Sequence, residues 1–402
     1  MTTTKTSLAV VAPGHCRTCA YVGPCGGLDE QHSLFGCFVD CAQACVVDGP
    51  GRCDYTCPKK PGQFARRWFE VGGWPPRIPT APLLNPAGGL PRYIPVIRHP
   101  YRREMIVDLE YVALPTFEMV GGAVARYGPR ATDGPDLRSR ALLRADSKVL
   151  FVSVARDEEL EKFWHLATER NVPARLTSLN LWAMTTPNFS YFLRAPRTHI
   201  LHNTARILRC AEALSAAEVP PILHLNWLTD ADWQLWVRVL RAHPQVRFVC
   251  KEFQTGGRDP RRAGAMIEGL RRMQDRVEQD LHPIIVGGTQ YATRILRGFP
   301  SATFVDSRPF MCTVARRRLE IRWPSVEWVP APTEIGEPLD SLLAYNLRAY
   351  ARYVDLLAED LRPSPSDANA VAIAAMEDED QLLAQPDLPS ASSSHDSSEI
   401  CR

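Results

Sequence analysis

From about residue 105 to residue 305 the chain repeats one pattern: short apolar runs alternate with amphipathic or charged stretches of helical period. The runs fall near Met105–Ala113, Lys148–Val154, Arg175–Trp182, Thr198–His202, Ile222–Trp227, Val246–Lys251, Pro283–Val286 and Ala302–Val305. Most are nearly continuous in apolar residues, as strands buried on both faces are. Between them Asp157–Glu169, Thr204–Ala217, Asp230–Ala242 and Arg262–Gln279 read as helices, with Asp157 and Thr229 in cap positions. Such alternation predicts parallel βα units with right-handed crossovers, and eight runs predict an α/β fold of the (β/α)8 TIM-like barrel type over 105–335. The alternative is a doubly wound open sheet. That fold normally carries a glycine-rich phosphate loop after its first strand, and neither GxGxxG nor GxxxxGKS/T stands there.

The pattern changes at both ends. Residues 336–361 predict one C-terminal helix, with Leu342, Leu343, Leu347, Tyr350, Val354 and Leu357 recurring at helical spacing for docking on the barrel. Residues 362–402 end in SASSSHDSSEICR, too poor in apolar side chains to pack, and predict a disordered tail. Residues 58–104 are rich in Pro and Gly and interleave basic residues with Trp68, Phe69, Trp74, Tyr93 and Tyr101. That mixture suits an arm that touches phosphates and stacks on bases, and equally an extended arm packed on the neighbouring domain.

Residues 1–57 hold eight of the twelve cysteines: Cys16, Cys19, Cys25, Cys37, Cys41, Cys45, Cys53 and Cys57. Cys16-x2-Cys19 is a metal clasp, Cys37-x3-Cys41-x3-Cys45 would line one side of a helix, and Cys57-Pro58 ends the set as some iron–sulfur motifs end. No secretory leader precedes them, so a cysteine-rich metal module outranks a disulfide scaffold. Two four-cysteine centres fit the count, and the spacing leaves Zn2+ and [4Fe–4S] both open. No apolar run reaches the ~18–20 residues of a membrane span. The expectation is a cytoplasmic protein, in the host cytoplasm if phage-encoded. The formal net charge of +2 singles out no partner.

The chemistry-bearing stretch is Pro283–Arg318. An apolar run ends at Gly287–Gly288, where backbone can approach a ligand closely, and Thr289 can cap the next helix. The next run delivers Asp306 at its carboxyl end, where barrels do their chemistry. Asp306 is therefore the candidate reactive carboxylate. The expected ring of strand ends adds Ser153, Arg156, Asn180, Trp182, His202, Asn203, Asn226, Trp227, Lys251, Glu252 and Gln254. Amides pair with both edges of a base and aromatics stack on its face, so the ring predicts a planar heterocycle as ligand. His224, inside an apolar run, reads as a satisfied core residue.

The order of strand, glycines, threonine, helix, strand and aspartate, with VGGT at 286–289 and FVDSRPFMCTVARR at 304–317, resembles the queuine tRNA-ribosyltransferase superfamily. Within it, the chain is most similar to the deazaguanine DNA transglycosylases of phages and bacterial islands. The resemblance implies a (β/α)8 barrel that exchanges guanine in nucleic acid, DNA before tRNA, for a free 7-deazaguanine base. It implies Asp306 as nucleophile through a covalent aspartyl intermediate. It implies Gln254, Gly287 and Gly288 as base-binding residues, with Asn180 and Asn226 beside them. The family's second aspartate has no counterpart, since the third run reads LNLWAMTTPNFSYF, and the family's carboxyl-terminal zinc site is absent. Two other functions fit the cysteines: an iron–sulfur redox enzyme on a small substrate, and a non-catalytic nucleic-acid-binding metalloprotein.

Overall fold

The computed structural model describes residues 54–57, 60–73, 76–98, 102–120, 131–170, 172–192, 195–254, 256–334 and 336–361, together with the two-residue strands His32–Ser33 and Gly36–Cys37. Eight parallel strands form its core: β1 (Tyr93–Pro95), β2 (Tyr111–Pro115), β3 (Lys148–Val152), β4 (Ala183–Thr185), β5 (Pro221–His224), β6 (Phe248–Glu252), β7 (His282–Val286) and β8 (Thr303–Asp306). Chain neighbours are sheet neighbours from β2 to β8, and β8 then pairs with β1 in the register Val305↔Ile94. The β1–β2 seam is narrower, held by the bridge Val96↔Ala113 and by Ile97 N donating to Ala113 O at 2.9 Å. The result is a nearly closed parallel barrel, as the alternation predicts.

Strand side chains alternate between the inside and the outside of a barrel. The inner set is apolar: Ile94 and Val96, Ala113, Leu150 and Val152, Ala183, Ile222, Phe248 and Cys250, Ile284 and Val286, and Val305 cluster together. The amino-terminal end is floored by aromatic edge-to-face contacts, Tyr111–Trp182 at 5.7 Å and Trp182–Phe248 at 5.6 Å. Rings at these spacings add attraction beyond their buried area.

Three of the helices between strands start at side-chain caps. Helix α1 (Pro61–Glu70) precedes the barrel, α2 (Thr116–Val120) and α3 (Gly134–Arg140) follow β2, and α4 (Asp157–Arg170) and α5 (Val172–Leu176) follow β3. Helix α6 (Arg197–Ala216) follows β4, α7 (Asp230–Ala242) follows β5, and α8 (Pro260–Gln274) follows β6. Thr229 and Asp232 close a capping box on α7. Asp259 caps α8 by accepting from Arg261 N and Arg262 N, with Pro260 in the first turn. After α9 (Ala292–Gly298), β8 and α10 (Arg308–Val314), an antiparallel hairpin forms from β9 (Arg317–Arg322) and β10 (Ser325–Pro330). The last helix, α11 (Asp340–Glu359), buries Leu343, Leu347, Tyr350, Val354 and Leu357. Asn346, fully buried on it, accepts from Leu319 N at 2.9 Å and donates to Thr313 Oγ1 and Arg317 O at 2.8 Å.

Four segments differ from the sequence expectation. The barrel starts within the Pro-rich stretch 58–104, because Tyr93–Pro95 is its first strand. A proline inside the run argues against a strand, yet Pro95 sits at the weakly paired seam, opposite Asp306 on one side only. Thr198–His202 is not a strand but part of α6. Its buried residues include the polar His199, His202, Asn203 and Arg206 beside the apolar Ile200, Leu201, Ile207 and Leu208. Thr56 N donates to His199 Nδ1 at 3.2 Å, and His202 Nε2 meets Arg67 O at 3.1 Å, so the segment ahead of the barrel covers that face. Arg175–Trp182 is likewise not a strand. It contains the end of α5 and a short turn closed by Asn180 at φ 47°, and β4 begins only at Ala183. The expected strand Met105–Ala113 is Tyr111–Pro115.

The cysteine module lies outside the described residues except for Cys37, paired in register with His32, and Cys57, which is buried. The tail 362–402 lies outside them as well. Among the described residues no helix is long and apolar enough to cross a membrane.

Candidate active site at the carboxyl-terminal mouth

Strand alternation decides which predicted residues face the barrel interior. On β8 Val305 belongs to the interior cluster, so Asp306 next to it points to the outer wall. There its carboxylate is fully engaged. Oδ2 accepts from Thr289 Oγ1 and from the Tyr350 hydroxyl, both at 3.1 Å, and Oδ1 accepts from Arg308 N at 2.8 Å. Its backbone carbonyl accepts from Val96 N at 3.0 Å and from the Tyr93 hydroxyl at 3.4 Å. Burial, together with the Asp306 carboxylate, holds both tyrosine hydroxyls well above the usual phenol range, so they remain donors. Asp306 thus joins β8, the loop after β7, the start of α10 and the C-terminal helix.

Gln254, Gly287 and Gly288 do come together. The two glycines end β7 with φ of 71° and 74°, a left-handed pair that side chains resist. A Cβ on Gly287 would lie 2.8 Å from Gln254 Cγ, and one on Gly288 would lie 2.8 Å from Phe253 Cβ. The glycines therefore let the β6 and β7 loops close on each other, with the Gln254 amide beside the turn.

Asn226, just past β5, is committed to its neighbours. Its Nδ2 donates to Asn188 Oδ1 at 2.6 Å and to Phe189 O at 3.3 Å, and its Oδ1 accepts from Lys251 Nζ at 3.1 Å. Lys251 also donates to Leu225 O at 2.8 Å and lies 4.4 Å from the Trp227 ring centre. Burial lowers this ammonium to about 8. Asn180 is not brought to this end. It precedes β4 at the amino-terminal side, where Arg138 donates to its carbonyl at 3.0 Å. Trp182 is at that end too, its Nε1 donating to Ala87 O at 2.9 Å. His202 and Asn203 lie within α6 under Arg67 and Ser190. Ser153 is buried at the end of β3 against Thr116 Oγ1 at 2.8 Å.

The same alternation brings forward a carboxylate that sequence reasoning placed in the ring without giving it a role. Glu252 ends β6 on the face of Phe248 and Cys250, which is the inner one, and is in register with Val286 beside the glycine turn. The signal for it was available: FVCKE reads inward at every second residue once Phe248 is known to face in.

Among the described residues no group of three His, Cys, Asp or Glu side chains could hold a metal ion. The zinc or iron–sulfur expectation concerns cysteines that, apart from Cys37 and Cys57, lie outside them, and no chemistry at the mouth is routed through it. A cleft of about 390 Å³ opens at the opposite end, lined by Leu90, Arg92, His282, Ser301, Ala351 and Asp355 among others. The chain matches no family model and no curated protein.

Proposed function

We propose that this chain is a base-exchange glycosyltransferase that works at the carboxyl-terminal mouth of its barrel, replacing guanine in nucleic acid, DNA before tRNA, with a free 7-deazaguanine. In this reading the reacting carboxylate is Glu252. The observation that carries it is the alternation of β6 and β8: Glu252 shares the inner face with Cys250, whereas Asp306 faces the outer wall. The Gln254 amide, pressed on the Gly287 turn, supplies a donor and an acceptor for a base edge.

The target nucleotide swings out of its stack, at a cost of a few kcal/mol. A Glu252 oxygen attacks the anomeric carbon, forming a C–O ester bond while the glycosidic C–N bond breaks. The bond's electron pair goes to guanine N9, which leaves as the free base after taking a proton from water. The incoming 7-deazaguanine loses its N9 proton to water, attacks the same carbon and releases the carboxylate. Two displacements keep the original stereochemistry, as in retaining glycosidases.

The test is exchange of radiolabelled guanine out of DNA and tRNA by the full-length protein, with the covalent adduct followed on a denaturing gel. Glu252→Gln abolishes exchange and adduct, and Asp306→Asn retains both in its folded fraction. Adduct formation that survives Glu252→Gln and vanishes in folded Asp306→Asn returns the role to Asp306. No exchange by the native protein on either nucleic acid ends the proposal.

A further inference from the structure

Four histidines are buried to below one-tenth exposure among the described residues: His199, His202, His224 and His243. Three of them are explained by a protein partner. His199 Nδ1 accepts from Thr56 N at 3.2 Å, His202 Nε2 meets Arg67 O at 3.1 Å, and His243 Nε2 meets Pro79 O at 3.0 Å. His224 differs from all three: it is fully buried, and neither Nδ1 nor Nε2 has a protein hydrogen-bond partner.

Its position adds a second observation. His224 is the last residue of β5 and follows Ile222, an interior residue, by two, so its ring is on the inner face. It is in register with Cys250, which places it one inward step below Glu252 on the next strand. Its backbone is anchored, with N donating to Thr186 Oγ1 at 2.8 Å. Burial and the nearby Lys251 ammonium keep the imidazole neutral, so one ring nitrogen is a donor and the other an acceptor. A buried polar group with no partner destabilises a fold, and an apolar residue of similar size would not. A polar side chain held at that cost on the inner face, one register step beneath the candidate carboxylate, points to a ligand that completes it.

We infer that His224 is the floor contact of the site: its ring exchanges a hydrogen bond with the edge of a planar nitrogen heterocycle that enters from the mouth, so His224 selects the base that is bound. This rests on the reading of the mouth as a base-handling site. It assigns a binding role and no bond-making one.

The experiment measures free guanine binding by calorimetry and thermal unfolding for the native protein, His224→Leu, His224→Asn and His224→Gln. Asn places an amide near the position of Nδ1 and Gln near that of Nε2, so each tests one nitrogen. His224→Leu unfolds at the native temperature or above it and binds guanine at least tenfold more weakly. Either Asn or Gln recovers most of the loss, identifying the nitrogen that is used. A leucine variant that fails to fold overturns the inference, because the ring then serves packing. Leucine binding as tight as native, or recovery by neither amide, overturns it too. Native protein that binds no guanine takes the base-handling reading down with it, whereas equal binding by native and leucine forms removes the inference alone.

Discussion

The Tyr350 hydroxyl donates to Asp306 Oδ2 at 3.1 Å, fastening the C-terminal helix α11 to the end of the last barrel strand. The same carboxylate oxygen accepts from Thr289 Oγ1, and the Tyr93 ring stands edge-on to Tyr350 with ring centres 5.1 Å apart. These contacts seal the outer wall beside the narrow β1–β2 seam, where the sheet has least hydrogen bonding of its own.

Tyr350→Phe removes one hydrogen bond and keeps the ring, and should cost about 1 kcal/mol of stability. Asp306→Asn disturbs three hydrogen bonds and should cost more, about 1–3 kcal/mol. A double-mutant cycle by urea unfolding should show coupling between the two, because they share one contact. A cycle with no coupling would remove the fastening role from this pair.

Gly287→Ala meets two obstacles, a φ of 71° and a Cβ 2.8 Å from Gln254 Cγ. It should destabilise by about 1–3 kcal/mol and weaken base binding by displacing Gln254. Gly62→Ala in α1 is the control, since nothing lies within 4 Å of its Cβ, and it should be neutral or stabilising. Equal thermal stability for both variants would contradict the geometry.

Arg197 and Asp232 form a buried ion pair, 2% and 1% exposed, and Asp232 Oδ2 also accepts from Leu228 N at 3.0 Å and Thr229 N at 3.1 Å. Removing one charge strands the other in an apolar setting, so Arg197→Met should cost about 3–5 kcal/mol. The double variant Arg197→Met/Asp232→Leu should be less destabilised than the sum of the single changes, as read from denaturant midpoints at constant m-value.

Acid should unfold this protein through its histidines. Burial pushes His282 down to about 4 and His199 to about 3, and holds His202 and His224 well below the ordinary value of 6.5. In each case the unfolded chain takes up a proton before the folded one does. Stability is therefore fully present above about pH 6.5 and falls as pH drops from there toward about 4. Unfolding at pH 5 should absorb more than one proton per chain, measurable from the pH dependence of the denaturant midpoint. A flat stability profile between pH 7 and 5 would be the contrary result.

The barrel was legible because parallel strands buried on both faces leave apolar runs, and those at 148–152, 248–252, 282–286 and 303–306 were read within one or two residues. The strand at 93–95 was hidden by Pro95, and the first turns of α6 read as a strand although Thr204–Ala217 read as a helix, because Ile200 and Leu201 sit side by side among polar residues that are also buried. A hydrophobic period does not register the buried His199 and His202, which hydrogen-bond to the chain ahead of the barrel. The glycine pair after β7 was legible from residue type, since glycines at a strand end mark close approach, but that Gln254 is what approaches Gly287 came only from the structure.

By itself, then, the sequence determined the repeating strand–helix order, the glycine turn after β7 and the position of the C-terminal helix, because periodicity and backbone propensity are local. Which carboxylate faces the interior was decided only by the closed sheet. Alternation fixes that Val305 and Asp306 point opposite ways, but not which way, until eight neighbouring strands set the registers. One step along β8 turns Asp306 outward to Tyr350, and the registers of β5 and β6 leave His224 and Glu252 on the inner wall.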